Sequence, residues 1–258
     1  MSEQHISKKL VLTSLLWKFL ERAGLQVGQF VISVILARLL SPSDYGAVAL
    51  ITIFIQIAFV FVQSGLGTAL IQKKDVDETD FSSVFYLSLI IASVCYVLIF
   101  FAAPIIATFY KLEVLKPALR VLSLSLFFNA FTTVQYAIIS KTMQFKRFFF
   151  SSLGGVIGSG LIGIALALLG YGIWALVFQQ LSNTIFIFII LFVSLEWKPR
   201  FLFSFYKVKS LFSFGWKLLV SALIDTGFNN IYGLVIGRRF SSDALGFYTR
   251  GQQFPQVI

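Results

Sequence analysis

The sequence predicts an all-α, polytopic helical membrane protein, with parallel six-helix repeats forming two lobes and the second lobe truncated. Three observations predict it. Of the 258 residues 58% are hydrophobic and only 12% charged, and the mean hydropathy is +0.88, whereas soluble domains carry roughly 25% charged residues. Several windows without Asp, Glu, Lys or Arg exceed the roughly 20 residues that a helix needs to cross the hydrocarbon core. The opening of the chain also recurs near its end. A water-soluble domain of this composition could not cover its own surface with polar groups. That excludes a cytosolic enzyme, a disordered tail and a nucleic-acid-binding module. One cysteine excludes a disulfide framework, and with a single histidine it leaves almost nothing for a transition-metal site.

The elements follow in order. Windows 45–72, 81–110 and 121–140 are uncharged, and 148–195 is uncharged and long enough for two spans, with Gly170-Tyr171-Gly172 as the turn. Segments 10–37 and 211–237 are mostly apolar but carry charges. Seven spans result, at about 10–37, 45–71, 82–109, 115–140, 148–169, 172–195 and 211–237. The ten-residue alternation of a membrane barrel is missing. The N-terminus is not a cleavable signal, because Lys18, Glu21 and Arg22 interrupt its apolar run and no small-residue cleavage site follows. With the N-terminus in the cytoplasm, eleven Lys and Arg fall on that side, seven on the other and three within spans. This bias favours that orientation. The net charge of +10 then reads as an orientation signal and an attraction to anionic membrane lipids, not as nucleic-acid binding.

The repeat pairs Trp17-Lys18 with Trp216-Lys217 and Gly28 with Gly227. After one extra residue it pairs Arg38 with Arg238, Ser41 with Ser241 and Gly46 with Gly246. Six spans separate the copies, so both point the same way, as in transporters whose two halves surround a cavity. Residues 1–196 are expected to form a six-helix lobe and 197–210 a cytoplasmic interfacial linker, rich in Trp197, Phe201, Phe203, Phe205, Tyr206 and basic residues. Residues 211–258 begin a second lobe, and the chain reads as a fragment of a longer protein.

Ionisable groups inside a membrane face a cavity or a partner by default. In span 1, Lys18, Arg22, Gln26, Gln29 and Ser33 fall within about 80° of one another on a helix, with Glu21 beside Lys18. In span 7, Lys217, Ser221, Asp225, Asn229 and Tyr232 share a face. Span 4 adds Asn129, Thr133, Tyr136 and Ser140, span 2 Gln56 and Gln63, and span 6 Gln179 and Asn183. The expectation is a hydrated cavity with a cationic cytoplasmic third. There Lys18, Arg22 and Lys217 hold a diphosphate, while Gln26, Gln29, Gln56, Asn129, Tyr136 and Asn229 meet sugar hydroxyls. The competing reading has Lys18 and Arg22 snorkelling to headgroups, with Glu21 a surface partner. Asp225 and Glu21 are the candidates for coupling to a proton or sodium ion. For Asp225 a buried pairing with Lys217 or a first-half cation is an equal alternative.

Other signals fail. Gly158-Ser159-Gly160-Leu161-Ile162-Gly163 matches a dinucleotide fingerprint literally but lies in an uncharged membrane stretch without the strand and downstream acid it requires. Gly154, Gly155, Gly158, Ser159 and Gly163 read instead as a small-residue seam for close helix contact. Cys95 reads as inert packing, His5 as a solvated tail residue, Asp75, Asp77, Glu78 and Asp80 as a solvated loop, and Phe148-Phe149-Phe150 as lipid-facing. No nucleophile–base pair or metal set is present, so no enzyme and no cofactor are expected.

Two stretches carry a family likeness: Ala37-Arg38-Leu39-Leu40-Ser41-Pro42-Ser43-Asp44-Tyr45-Gly46 and Ser64-Gly65-Leu66-Gly67-Thr68-Ala69-Leu70-Ile71-Gln72. With Tyr248-Thr249-Arg250-Gly251-Gln252-Gln253-Phe254-Pro255, they resemble the lipopolysaccharide and exopolysaccharide flippases of the multidrug/oligosaccharidyl-lipid/polysaccharide exporter superfamily. The resemblance implies a two-lobed transporter in the bacterial inner membrane. It would move undecaprenyl-diphosphate-linked oligosaccharide by alternating access, with polysaccharide polymerase and glycosyltransferase proteins as partners. The alternatives are a cation-coupled multidrug exporter of the same fold, a membrane glycan polymerase or ligase, and a non-transporting scaffold. An exporter of cationic drugs favours an acidic cavity, and a polymerase or ligase a large outer loop. Neither pattern is seen. The gene is expected to continue for about five more spans beside glycosyltransferase genes, and the isolated 258-residue chain to be unstable. A sharp monodisperse peak with a cooperative melt in detergent would contradict the latter.

Overall fold

A computed structural model describes residues 8–253, and those residues are almost wholly helical, with no strand among them. In chain order the helices are α1 (Lys8–Leu39), α2 (Pro42–Gln63), α3 (Leu66–Gln72), α4 (Glu78–Tyr110) and α5 (Leu115–Leu122). They continue with α6 (Ser125–Thr142), α7 (Phe145–Leu168), α8 (Ile173–Ser194), α9 (Phe205–Arg239) and α10 (Ser242–Gln253). Seven stretches are long and apolar enough to cross a membrane, so the chain is a polytopic helical membrane protein. His5 and the side chain of Glu21 lie outside the described residues.

Two capping boxes mark opposite ends of the bundle. At one end the Ser41 hydroxyl accepts from the Asp44 amide at 3.3 Å while the Asp44 carboxylate accepts from the Ser41 amide at 3.0 Å, with Pro42 opening the helix. At the other end Asp77 and Asp80 do the same for α4, at 2.9 and 3.1 Å. Each box satisfies backbone donors that a helix start leaves unpaired. These ends are called the Ser41 end and the Asp80 end.

Two expected spans are divided. The stretch 45–71 breaks at Ser64 and Gly65, both left-handed with φ of 48° and 65°, into α2 and α3. Glycine is required at the break, because a Cβ on Gly65 would lie 2.3 Å from the Gly215 carbonyl oxygen where α9 crosses. The stretch 115–140 is α5 and α6, separated at Ser123 and Leu124. The linker also departs from expectation. Residues 195–204 are non-helical, and Phe205–Lys209 already belong to α9.

The glycine seam of α7 forms as expected. A Cβ on Gly154, Gly155, Gly158 or Gly163 would approach Ile190, Ile187, Phe186 or Gln179 of α8 within 3.0 Å, and one on Gly160 would meet Ile32 of α1 at 2.3 Å. Small residues let helices approach where lipid supplies no hydrophobic drive between them.

The repeat is visible as packing. α9 and α10 reproduce α1 and α2, and Ser241 caps α10 by accepting from the Ala244 amide at 3.2 Å. α2 and α10 meet reciprocally. A Cβ on Gly46 would lie 1.8 Å from the Ser242 carbonyl oxygen, and one on Gly246 would lie 1.9 Å from that of Pro42. Equivalent residues therefore contact each other's partners, which is the signature of a local two-fold relation.

At the Asp80 end three of the four acids expected in a solvated loop, Asp77, Glu78 and Asp80, are paired. Asp80 is 0% exposed and receives Lys73 at 2.8 Å on both carboxylate oxygens. Glu78 pairs with Arg200 at 2.8 Å and Asp77 with Lys207. Ser82 and Ser83 hydroxyls accept the amides of Arg200 and Ser204 at 3.2 and 2.9 Å. Lys141 donates to the Leu70, Lys73 and Lys74 carbonyls. The start of α4 thus holds both the linker and the beginning of α9.

Gly158→Leu, facing Phe186, should destabilise by about 1–3 kcal/mol through overpacking. Gly227→Leu, whose Cβ meets nothing within 4 Å, should be near neutral, and thermal unfolding in detergent reads both. At the clasp, the Lys207 hydrogen bond holds Asp77 below the ordinary carboxylate range, and the same bond holds Lys207 above the ordinary lysine value. That pair's stabilisation is present above the ordinary carboxylate pKa and is lost as pH falls through the depressed Asp77 value. It is lost again as pH rises through the raised Lys207 value. Asp77→Asn should therefore lower the melting temperature slightly at neutral pH and not at all in strong acid. Asp80→Asn, which strands Lys73 beside a buried neutral group, should cost about 2–4 kcal/mol at neutral pH.

Candidate functional site

Helices α1, α2, α7, α8, α9 and α10 enclose a cavity of about 710 Å³. Each contributes polar groups to it for a local reason. The span 1 stripe puts Gln26, Gln29 and Ser33 on one face of α1, and α2 presents Thr52 and Gln56 one turn apart. The α7 seam brings α8 close enough to add Gln179, Gln180 and Asn183, with Ser159 of α7 beside them. α9 supplies Asn229 and Asn230, and α10 supplies Thr249, Arg250 and Gln252.

The groups are partly tied to one another. Thr52 donates to the Gln180 side-chain oxygen at 3.2 Å, and Asn230 donates to the Gln56 side chain at 3.3 Å and to the Thr226 carbonyl at 2.8 Å. Gln252 donates to the Tyr248 hydroxyl at 2.7 Å. The Asn183 Oδ1 is buried and accepts no hydrogen bond among the described residues. Arg250 donates through Nη1 to the Ser33 carbonyl at 3.2 Å, and its guanidinium carbon sits 3.5 Å from the centre of the Tyr45 ring.

Among the described lining residues, nine are amides, one is a cation and none is a carboxylate. A side-chain amide offers two donors and two acceptors without charge. A wall of amides can therefore solvate a polyhydroxylated molecule without desolvating an ion. The volume lies within the roughly 300–1,000 Å³ of small-molecule sites.

Of the residues singled out from sequence, Gln26, Gln29, Gln56 and Asn229 line this cavity together. Tyr136 lines a separate cavity of about 150 Å³ with Gln63, Thr133 and Ser140, and Asn129 lines neither. Lys18 lies outside the large cavity, 4.6 Å from the Phe148 ring centre and 5.7 Å from that of Phe145, where the ring faces attract its charge. Phe148 also stacks on Tyr136 at 4.6 Å, so this residue is packed and not simply lipid-facing. Arg22, Lys217 and Asp225 are exposed, and none lines the cavity. The large cavity is therefore amide-lined where a cationic third was expected, and its described cation is Arg250.

Sequence reasoning missed Thr52, Ser159, Gln180, Asn230, Arg250 and Gln252. Arg250 was counted with an outer loop, but it stands eight residues into α10, roughly 12 Å along a helix. The repeat was the available signal, since it makes 242–253 the counterpart of the α2 opening.

The chain is similar to known proteins along most of its length. A family profile described as "Polysaccharide biosynthesis protein" matches residues 35–258. The succinoglycan biosynthesis transport protein ExoT of Rhizobium meliloti (strain 1021) is 28% identical over 257 residues, covering 98% of this chain and 51% of that protein. The teichuronic acid biosynthesis protein TuaB of Bacillus subtilis (strain 168) is 29% identical over 212 residues, covering 80% and 42% respectively. The chain thus spans about half the length of the curated relatives it matches. Among solved structures, an inward-facing multidrug resistance MATE family transporter of the MOP superfamily matches 95% of this chain and 58% of its own. The TM-score is 0.61 and the identity 17%, which is a likeness of fold.

Proposed function

The chain belongs to the polysaccharide biosynthesis protein family, and from that premise we propose that it carries lipid-linked glycan units across a membrane by alternating access. The observation that carries this reading is the amide-lined cavity between α1–α8 and α9–α10. Glycan hydroxyls exchange hydrogen bonds with the Gln and Asn side chains, while the prenyl tail stays in lipid. The names of two relatives, a succinoglycan transport protein and a teichuronic acid biosynthesis protein, support a polysaccharide substrate.

In this proposal the Asp80 end faces the cytoplasm, because Lys and Arg concentrate there, and the membrane is the bacterial inner membrane. Lys18, Arg22 and Lys217 attract an undecaprenyl diphosphate headgroup at that side. Lys18 shares a helix face with Gln26, roughly 12 Å away, so headgroup capture and glycan binding follow one path. A proton or sodium ion couples the cycle through Asp225 or Glu21, and polymerase and glycosyltransferase proteins act before and after the transfer. The drug-exporter alternative is weakened by the lining, because a cationic drug calls for carboxylates and none is among the described lining residues.

The test is a bacterial strain lacking the gene. It should lose surface polysaccharide and accumulate lipid-linked glycan on the cytoplasmic face, and a plasmid copy should restore export. Replacing Gln29 and Asn183 together by alanine should reduce that restoration by roughly tenfold or more, since each lost hydrogen bond is worth about 0.5–1.5 kcal/mol. Unchanged surface polysaccharide and unchanged lipid-linked intermediates in the deletion strain would overturn the reading.

A further inference from the structure

The break between α2 and α3 borders a second cavity, of about 150 Å³. Its wall carries Gln63, Thr68, Thr133, Tyr136 and Ser140, and no charged side chain lines it among the described residues. Three local features build it. The left-handed turn at Ser64 and Gly65 ends α2 and starts α3. Gly67 lets α3 close on α6, since a Cβ there would lie 3.2 Å from the Thr133 methyl carbon. Phe148 stacks on Tyr136 with ring centres 4.6 Å apart and 13° between planes, which fixes the plane of the tyrosine ring. Gln63 stands seven residues from Gln56, two turns or roughly 10.5 Å along one face of α2. A molecule in the amide cavity that extends along that face toward the Asp80 end therefore reaches the second cavity.

Resting on the transport reading above, we infer that the small cavity is a subsite for one neutral sugar ring of the glycan. A hydroxyl both donates and accepts, and a side-chain amide offers two of each, so these five groups answer the hydroxyls of a ring without burying a charge. At roughly 30 Å³ per water the volume is that of about five waters, enough for one ring and too small for two. The electrostatics set the kind of ring. α2 ends at Gln63 and α6 at Thr142, so Gln63 and Ser140 stand in the last turns of two helices, where unpaired carbonyls give a negative partial charge. Lys141, the base in the last turn of α6, donates instead to the Leu70, Lys73 and Lys74 carbonyls. Thr133 donates its hydroxyl proton to the Asn129 carbonyl at 2.8 Å, so toward the cavity it accepts. Carbonyl ends and accepting oxygens favour a ligand that brings O–H or N–H donors and disfavour a carboxylate or phosphate. The ring that fits is a hexose or its acetamido derivative, and a uronic acid does not.

Thiol protection in the complete gene product, reconstituted in lipid nanodiscs, tests this. Cys95, the single cysteine, is replaced by alanine, and Ser140→Cys introduces a reporter thiol. A small methanethiosulfonate reagent is applied with the methyl glycosides of glucose, galactose, N-acetylglucosamine or glucuronic acid. At least one of the three neutral glycosides should slow modification several-fold, and the glucuronic acid derivative should not. Adding Thr68→Leu, which fills the mouth from an exposed position, should abolish that protection. Adding Thr133→Val, which keeps the shape and removes the accepting oxygen, should raise the glycoside concentration needed by roughly three- to tenfold. Gln29→Cys reports the amide cavity in the same way, and a neutral glycoside that protects there but not at position 140 would overturn the proposal. So would protection at position 140 by the glucuronic acid derivative as strong as by the neutral sugars, or protection by sodium chloride over choline chloride, which marks a cation site. Export is not read in this experiment. A deletion strain with normal polysaccharide removes the transport reading, whereas a thiol that no neutral glycoside protects removes the subsite alone.

Discussion

The approach of two helix backbones at Gly46 and Gly246 is the constraint on which the remainder of the structure depends. Neither position has room for a Cβ, which would overlap the Ser242 or Pro42 carbonyl. With no side chain between them, α2 and α10 touch through Cα and carbonyl groups, a contact in which Cα–H···O interactions contribute weakly. Because the two glycines are equivalent in the repeat, one contact fixes the relation of α1–α2 to α9–α10. The cavity lies between this contact and the crossing of α9 over the α2–α3 break at Gly65 and Gly215, and α7 and α8 form its side.

Charge is distributed to suit this geometry. Ionised side chains in a membrane are costly unless paired or hydrated, and at the Asp80 end the acids of the α3–α4 loop pair with Lys73, Arg200 and Lys207. The cavity is built from neutral amides, which change little in energy as water comes and goes. A cavity rich in ions would pay a desolvation penalty each time it closed. Amides avoid that penalty while keeping hydrogen-bonding capacity.

Span number, the α7 seam and the repeat were legible in the sequence because each is local: a run of uncharged residues, glycines at fixed spacing, or one stretch matched to another. The polar faces of α1 and α9 were legible for the same reason. How far along each face the cavity extends was not. Lys18 and Gln26 share a face of α1, and nothing within that helix says that Phe145 and Phe148 meet Lys18 while Gln26 opens on a cavity shared with α8 and α9. Asp77 and Glu78 looked solvated because their partners Lys207 and Arg200 are more than a hundred residues away. The break at Ser64–Gly65 was hidden in an apolar run, because it is the crossing of α9 that makes the left-handed turn necessary.

A ligand can shift a conformational equilibrium only through a difference in its interactions with the two states. A cavity of amides alone supplies little difference, since Gln and Asn side chains reorient and bond a glycan about equally well in either state. A rigid, permanently charged group that must choose between partners supplies more. Arg250 has a fixed fork and keeps its charge, and among its partners are the Ser33 carbonyl of α1 and the Tyr45 ring of α2. Lys18, Arg22 and Lys217 lie away from that contact. The amides are therefore the groups placed to meet a polar molecule in this cavity, and the outlying cations are not.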